Sequence, residues 1–221
     1  MSSSNLPIVR QRIADAARRS GRHESEIRLV AVTKYASADD GFLESLLAAG
    51  CRDFGEARPQ SLADKAQKFG TEMVRWHLIG PLQRNKIRRV LPFCSLIHSV
   101  DSIRLLEAID RIAQEENLQA VPPILLEINI SSEESKRGFE PEELSTVLEQ
   151  AAQMPRVTIT GLMGMSGLRS GESQKRQEFQ TLFQLAEKHG LKELSMGMSD
   201  DFEIAIEEGT TILRIGSILY P

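Results

Sequence analysis

The chain lacks an apolar run near the roughly 20 residues that a helix needs to cross a bilayer, so a helical membrane protein is not expected. Its first residues, Met1 to Asn5, lack the apolar centre of a secretory signal and are expected to be disordered. Cysteine is scarce: Cys51 and Cys94 stand alone, with no CxxC or metal-ligand spacing. A disulfide scaffold is thereby excluded, and a reduced, cytoplasmic setting with both thiols as packing residues is expected. Neither sign of charge is in large excess. Lys and Arg number 27 against 31 Asp and Glu, for a net charge of −4. Nothing favours nucleic acid in bulk, and any anion site must be local.

No low-complexity linker or charge block divides the 221 residues, so a single domain from residue 6 to residue 221 is expected. What the chain does have is a rhythm of short apolar runs and longer stretches of helical period. The strand candidates are 29–33, 52–54, 74–79, 96–99, 124–130, 159–163, 193–195 and 212–215. The helical stretches are 6–19, 41–49, 59–69, 82–91, 102–116, 141–153, 174–189 and 200–208. Gly50, Gly70, Gly190 and Gly209 punctuate their ends as C-caps. Eight strands alternating with helices predict an α/β fold with a parallel sheet, and eight is the number that closes a TIM-type barrel. An open doubly wound sheet is the second choice, weakened because no G-x-G-x-x-G follows the first strand.

In such barrels the working residues lie at the C-terminal ends of strands. The first apolar run leads directly into Lys34. Burial there would favour the neutral amine that a Schiff base requires; a lysine reaching out to the rim is the plain alternative. Met196-Gly197-Met198-Ser199 precedes a helix expected from Asp200, and Gly216-Ser217 follows the last strand. Glycine admits backbone N–H groups to phosphate oxygens and serine adds a hydroxyl. Ser199 also reads as an ordinary N-cap. Arg214 interrupts the apolar last strand and, by period two, shares a face with Ile212 and Gly216. A buried arginine needs an acceptor, either a carboxylate or a cofactor's ring nitrogen. His77 and Asn129 either line the pocket or make structural hydrogen bonds.

Taken together, the motifs resemble the pyridoxal phosphate homeostasis protein family, relatives of the N-terminal barrel of alanine racemase. The carriers run from the LVAVTK stretch ending at Lys34 through Phe54-Gly55-Glu56, Trp76-His77-Leu78-Ile79-Gly80 and Ile97-His98-Ser99. They continue through Glu134-Ser135-Lys136, Gly161-Leu162-Met163 and Ser195 to Phe202, and close on Arg214-Ile215-Gly216-Ser217. The resemblance implies pyridoxal 5′-phosphate (PLP) as cofactor, on Lys34 as the Schiff-base lysine. It also implies Ser199, Gly216 and Ser217 on the phosphate and Arg214 facing the pyridine nitrogen; His77, from its place at the end of the third strand, is expected among the cofactor contacts. The resemblance further implies a role in intracellular vitamin B6 balance without robust catalysis, with PLP-dependent apo-enzymes as partners; a one-domain chain permits a monomer, which is the state expected.

One position departs from the pattern: Ala57 follows Glu56 where the family usually has asparagine. Two other activities compete with the leading reading. A PLP-dependent amino-acid racemase would need an acid/base group on each face of the cofactor, and the chain offers only Tyr35 and Tyr220 as tyrosines. A barrel enzyme acting on a phosphorylated sugar would need no PLP.

Overall fold

The computed structural model describes residues 4–37, 41–118, 121–131 and 137–220. Eight parallel strands close into a barrel in sequential order, with the last strand pairing back to the first. The strands are β1 Arg28–Val32, β2 Asp53–Glu56, β3 Arg75–Leu78, β4 Cys94–Val100, β5 Ile124–Glu127, β6 Ile159–Met163, β7 Glu193–Ser195 and β8 Ile212–Ile215. The helices are α1 Leu6–Arg19, α2 Phe42–Ala48, α3 Pro59–Phe69, α4 Ile87–Val90, α5 Ile103–Glu115, α6 Leu144–Ala151, α7 Glu172–Lys188 and α8 Phe202–Glu207. The TIM-type barrel expected from the alternating pattern is therefore the observed architecture. The motif residues 134–136 lie outside the described residues.

Local chemistry explains the boundaries. α3 opens with Pro59, whose missing N–H costs nothing in a first turn, and stops at Gly70, which takes φ +78°. α5 buries Leu105, Leu106, Ile109 and Ile112, a spacing that puts all four on one helical face. Its N-cap is Ser102, the first residue of the stretch expected to be helical. The expected helix over 82–91 is shorter and split, with a 3₁₀ turn at Arg84–Lys86 before α4. Of the polar start, residues 1–3 lie outside the described residues. Asn5 is held: its Nδ2 donates to the Tyr220 carbonyl at 2.8 Å.

Strand alternation sorts the interior into two layers. Phe54, Trp76, Leu78, Ile97, Leu162 and Leu213 point outward and join the helices in one large core. Fully burying each such side chain contributes about 1.5–3 kcal/mol. The neighbouring residues point inward, where Val30, Leu96, Leu125, Met163 and Ile212 form a separate small cluster inside the barrel. The inward row of β2 and β6 includes Gly55 and Gly161. A Cβ on Gly55 would stand 2.9 Å from Val30 Cγ1, and one on Gly161 would stand 1.8 Å from the Glu193 carbonyl oxygen. Cys51 and Cys94 are free and buried, and burial pushes their thiols up to about 11 and about 12. That fits packing residues rather than nucleophiles.

Candidate functional site

The C-terminal ends of the strands converge on one mouth of the barrel, and most of the expected site residues meet there. β1 ends at Val32, Thr33 is buried, and Lys34 stands exposed in the turn that follows. Its Nζ lies 4.9 Å from the centre of the Tyr35 ring. Of the two placements open for Lys34, burial is corrected and the rim is observed: the strand stops at Val32, one residue short of its expected end, and the lysine stands exposed in the turn. Desolvation is no argument for its reactivity.

Beneath the rim lies a pair that sequence reasoning missed. Thr33 and Glu56 point outward from the barrel, toward α3. The Lys65 Nζ donates to the Thr33 carbonyl at 2.7 Å and to Glu56 Oε1 at 2.5 Å. The Thr33 hydroxyl donates to the same carboxylate oxygen at 2.5 Å. Glu56 and Lys65 are both buried. The signal was present: Lys65 lies between Leu62 and Ala66, on the buried face of α3. This clamp fixes the backbone immediately before Lys34.

The β8 exit sits beside β1. The register pairs Ala31 with Ile215, which brings Gly216 to the level of Val32. The Gly216 N–H donates to the Ser199 hydroxyl at 3.3 Å, clasping the loops after β7 and β8 together. Ser217 is exposed at the mouth. The expected helix start at Asp200 is corrected to Phe202. Asp201 accepts the Met198 N–H at 2.7 Å and the Ser166 hydroxyl at 2.6 Å. These bonds hold residues 199–201 as a turn, so Ser199 is no N-cap, and its hydroxyl oxygen meets the neighbouring loop instead. Gly197 carries φ +91°, and a Cβ there would lie 2.6 Å from the Ala205 methyl, so only glycine fits the bend.

Arg214 points into the barrel and is 4% exposed. Its NH1 donates to the Ser195 carbonyl and hydroxyl oxygens, both at 2.6 Å, and its NH2 to the Gly164 carbonyl at 3.1 Å. A guanidinium has five N–H donors, so among the described residues Nε and one NH2 hydrogen remain for a further acceptor. Burial lowers its pKa to about 10, against the opposing charges of Asp201 and Glu127.

His77 is the residue the structure moves away from the expected role. Its Nδ1 lies 2.9 Å from His98 Nε2 and its Nε2 lies 3.0 Å from Asp53 Oδ1, near the opposite end of the barrel. Both ring nitrogens are used within the protein, so neither is left for a ligand. Burial lowers the pKa of His77 against the pull of Asp53. Burial, with the charge of Arg214, takes His98 well below the ordinary value. Asn129, the other undecided residue, donates from Nδ2 to Glu140 at 3.1 Å, a structural hydrogen bond.

The arrangement can do specific chemistry. It presents a primary amine on the rim, a glycine-serine clasp of two loops, and a buried guanidinium with spare donors. Such a set suits a ligand bearing a carbonyl, an anionic group and a ring acceptor. Comparison with known proteins bears on which ligand. The profile of the alanine racemase N-terminal domain family matches residues 5–221. The pyridoxal phosphate homeostasis protein of Aquifex aeolicus is 35% identical over 221 residues, covering 97% of this chain and 95% of its own. That of Escherichia coli is 37% identical over 229 residues, covering 98% and 94%. PipY of Synechococcus elongatus, solved with PLP bound, superposes with a TM-score of 0.77 at 33% identity, covering 95% of this chain and 100% of that one. An alanine racemase of Clostridium difficile shares the fold at a TM-score of 0.72 and 14% identity, and this chain spans 56% of it.

Proposed function

The chain belongs to the pyridoxal phosphate homeostasis proteins, within the alanine racemase N-terminal domain family, and from that premise we propose that it binds PLP at the barrel mouth, covalently on Lys34, and serves intracellular PLP balance. The observation that carries this reading is the convergence of Lys34, the Ser199–Gly216 clasp and Arg214 at one end of the barrel. The residues present fit the cofactor. Lys34 would hold the cofactor through its amine, and PLP would supply the aldehyde for that bond, with water as the leaving group. Ser199 and Ser217, with the N–H groups of their loops, offer charge-assisted hydrogen bonds to a phosphate. Arg214 offers its remaining donors to the ring nitrogen. A cationic partner there leaves that nitrogen unprotonated, a weaker electron sink than an aspartate partner would create.

The same geometry supports holding rather than turnover. The Tyr220 ring is stacked on Phe42 at 4.3 Å, and its hydroxyl lies 3.4 Å from the Val32 carbonyl. Tyr35 is 72% exposed and meets Tyr220 edge-on. The Tyr220 hydroxyl is engaged at the Val32 carbonyl, and Tyr35 lies beside the Lys34 amine, its ring centre 4.9 Å away, so neither is placed as the second acid/base group, on the opposite face, that racemisation requires. Exposure of Lys34 suits release of the cofactor to PLP-dependent apo-enzymes. Reduction of PLP-loaded protein with borohydride, followed by peptide mass mapping, should place the pyridoxyl group on Lys34, and Lys34→Ala should stay colourless. Label on the buried Lys65 would overturn the assignment. Incubation with each enantiomer of common amino acids should show turnover far below the ordinary enzyme range of about 1–10³ s⁻¹.

A further inference from the structure

We infer that Asp53, His77, His98 and Ser195 form a one-way hydrogen-bond chain through the barrel interior that positions the Arg214 guanidinium. The chain begins at Asp53, whose carboxylate takes Arg75 Nε at 2.7 Å and NH2 at 2.6 Å and His77 Nε2 at 3.0 Å. His77 Nδ1 meets His98 Nε2 at 2.9 Å, and His98 Nδ1 meets the Ser195 hydroxyl at 2.7 Å. The Ser195 hydroxyl oxygen takes Arg214 NH1 at 2.6 Å. Ser195, His98 and His77 are all buried.

The two ends set the direction. Arginine can only donate and an ionised carboxylate can only accept. Four bonds link the five groups, and each needs one hydrogen. Arg214 supplies the first, and the Ser195 oxygen keeps a second lone pair, so the carboxylate end decides: a neutral His77 that donates from Nε2 to Asp53 accepts at Nδ1 from His98 Nε2, which leaves His98 Nδ1 to accept from the Ser195 hydroxyl. His98 then carries its hydrogen on Nε2 and donates to His77 Nδ1. His77 carries its hydrogen on Nε2 and donates to Asp53. Both imidazoles are neutral Nε2–H tautomers. An imidazolium in either position would leave one hydrogen in the chain without an acceptor.

Bonds aligned in this way polarise one another. The Asp53 charge draws each hydrogen toward the start of β2, and the Ser195 oxygen becomes a stronger acceptor for Arg214. A buried guanidinium that hydrogen-bonds to neutral Ser195 and Gly164 gains a share of a carboxylate it does not touch. The four residues are positioning residues, acting through Arg214.

The effect on bound PLP rests on the reading above; the chain itself does not, so the two are tested separately. In cofactor-free protein with ¹⁵N-labelled histidine, His77 and His98 should both appear as neutral Nε2–H tautomers at pH 7. Ser195→Ala should move the His98 Nδ1 resonance toward that of an unbonded ring nitrogen, and Ser195→Thr, which keeps a hydroxyl, should restore it. An Nδ1–H tautomer or an imidazolium at either ring would overturn the chain, as would an unmoved His98 resonance in Ser195→Ala. In PLP-loaded protein, Ser195→Ala should shift the visible absorption band and weaken PLP binding about fivefold, with recovery in Ser195→Thr. An unchanged band and affinity, with the NMR result as expected, would overturn positioning of Arg214. Failure of the unsubstituted protein to take up PLP would strike the proposed function and leave the NMR result standing.

Discussion

Lys65 illustrates how one side chain can be costly to remove for reasons unrelated to a ligand. Its ammonium shares Glu56 Oε1 with the Thr33 hydroxyl in a buried setting. Lys65→Met would leave the Glu56 carboxylate buried without its cation, and about 3–5 kcal/mol of stability should be lost in urea unfolding. Adding Glu56→Gln should recover most of that loss, because the uncompensated charge is gone. Ser217 presents the opposite case. It is exposed, so Ser217→Ala should leave stability within about 0.5 kcal/mol. PLP affinity should still fall about tenfold, since a charge-assisted hydrogen bond to the phosphate contributes about 1.5–3 kcal/mol. Unphosphorylated pyridoxal should bind equally well to both proteins, and equal weakening of both ligands would argue against the phosphate role. At the mouth's edge, the Ala57 carbonyl oxygen lies 2.2 Å from where a Gly80 Cβ would be, so the two backbones are in close contact. Ala57→Asn adds an amide to that loop. It should tighten PLP by up to about tenfold, the reach of one net hydrogen bond, as read from a PLP titration.

At the scale of elements, legibility followed local punctuation. Leu6–Arg19, Pro59–Phe69, Ile159–Met163, Glu193–Ser195 and Ile212–Ile215 lie where the apolar period and the Pro and Gly residues put them. The start of α8 was misread because Asp200 and Asp201 look like first-turn residues. Only tertiary contact with Ser166 shows that Asp201 closes a turn before the helix. Lys34 was placed on the right strand, yet its depth depended on where pairing with β2 stops, and β1 pairs with β2 no further than Val32. The interior hydrogen-bond chain was not legible. Period two marks His77 and His98 as inward, but their meeting depends on the offset between neighbouring strands. That offset includes an irregularity at Trp76/His77 that no local signal announces.

Over the whole molecule, the buried imidazoles and Asp53 dictate how stability responds to acid. Unfolded histidines take up protons below about pH 6.5. In the folded chain burial holds His77 and His98 below that value. The unfolded state then binds more protons, so stability should decline as pH falls below about 6.5. Burial raises the Asp53 carboxyl, but the hydrogen bonds from His77 and Arg75 outweigh it and hold it at about 2. Its contribution is complete above the unfolded value of about 3.9 and disappears as pH falls toward 2. Urea midpoints measured from pH 8 to pH 3 should therefore fall in two stages. A midpoint constant from pH 8 to pH 5 would contradict neutral buried rings. The glycines of the inward row give the barrel one more property. Gly161 stands where its neighbour's backbone leaves no room for a methyl, and Gly55 where Val30 would have to yield. Along any lineage of descendants, replacement of Gly55 needs the side chains of Val30 and Ile79 to give way, whereas at Gly161 the obstacle is backbone and no side-chain change elsewhere opens a path. The order in which the barrel's interior can evolve is thus already constrained by its present packing.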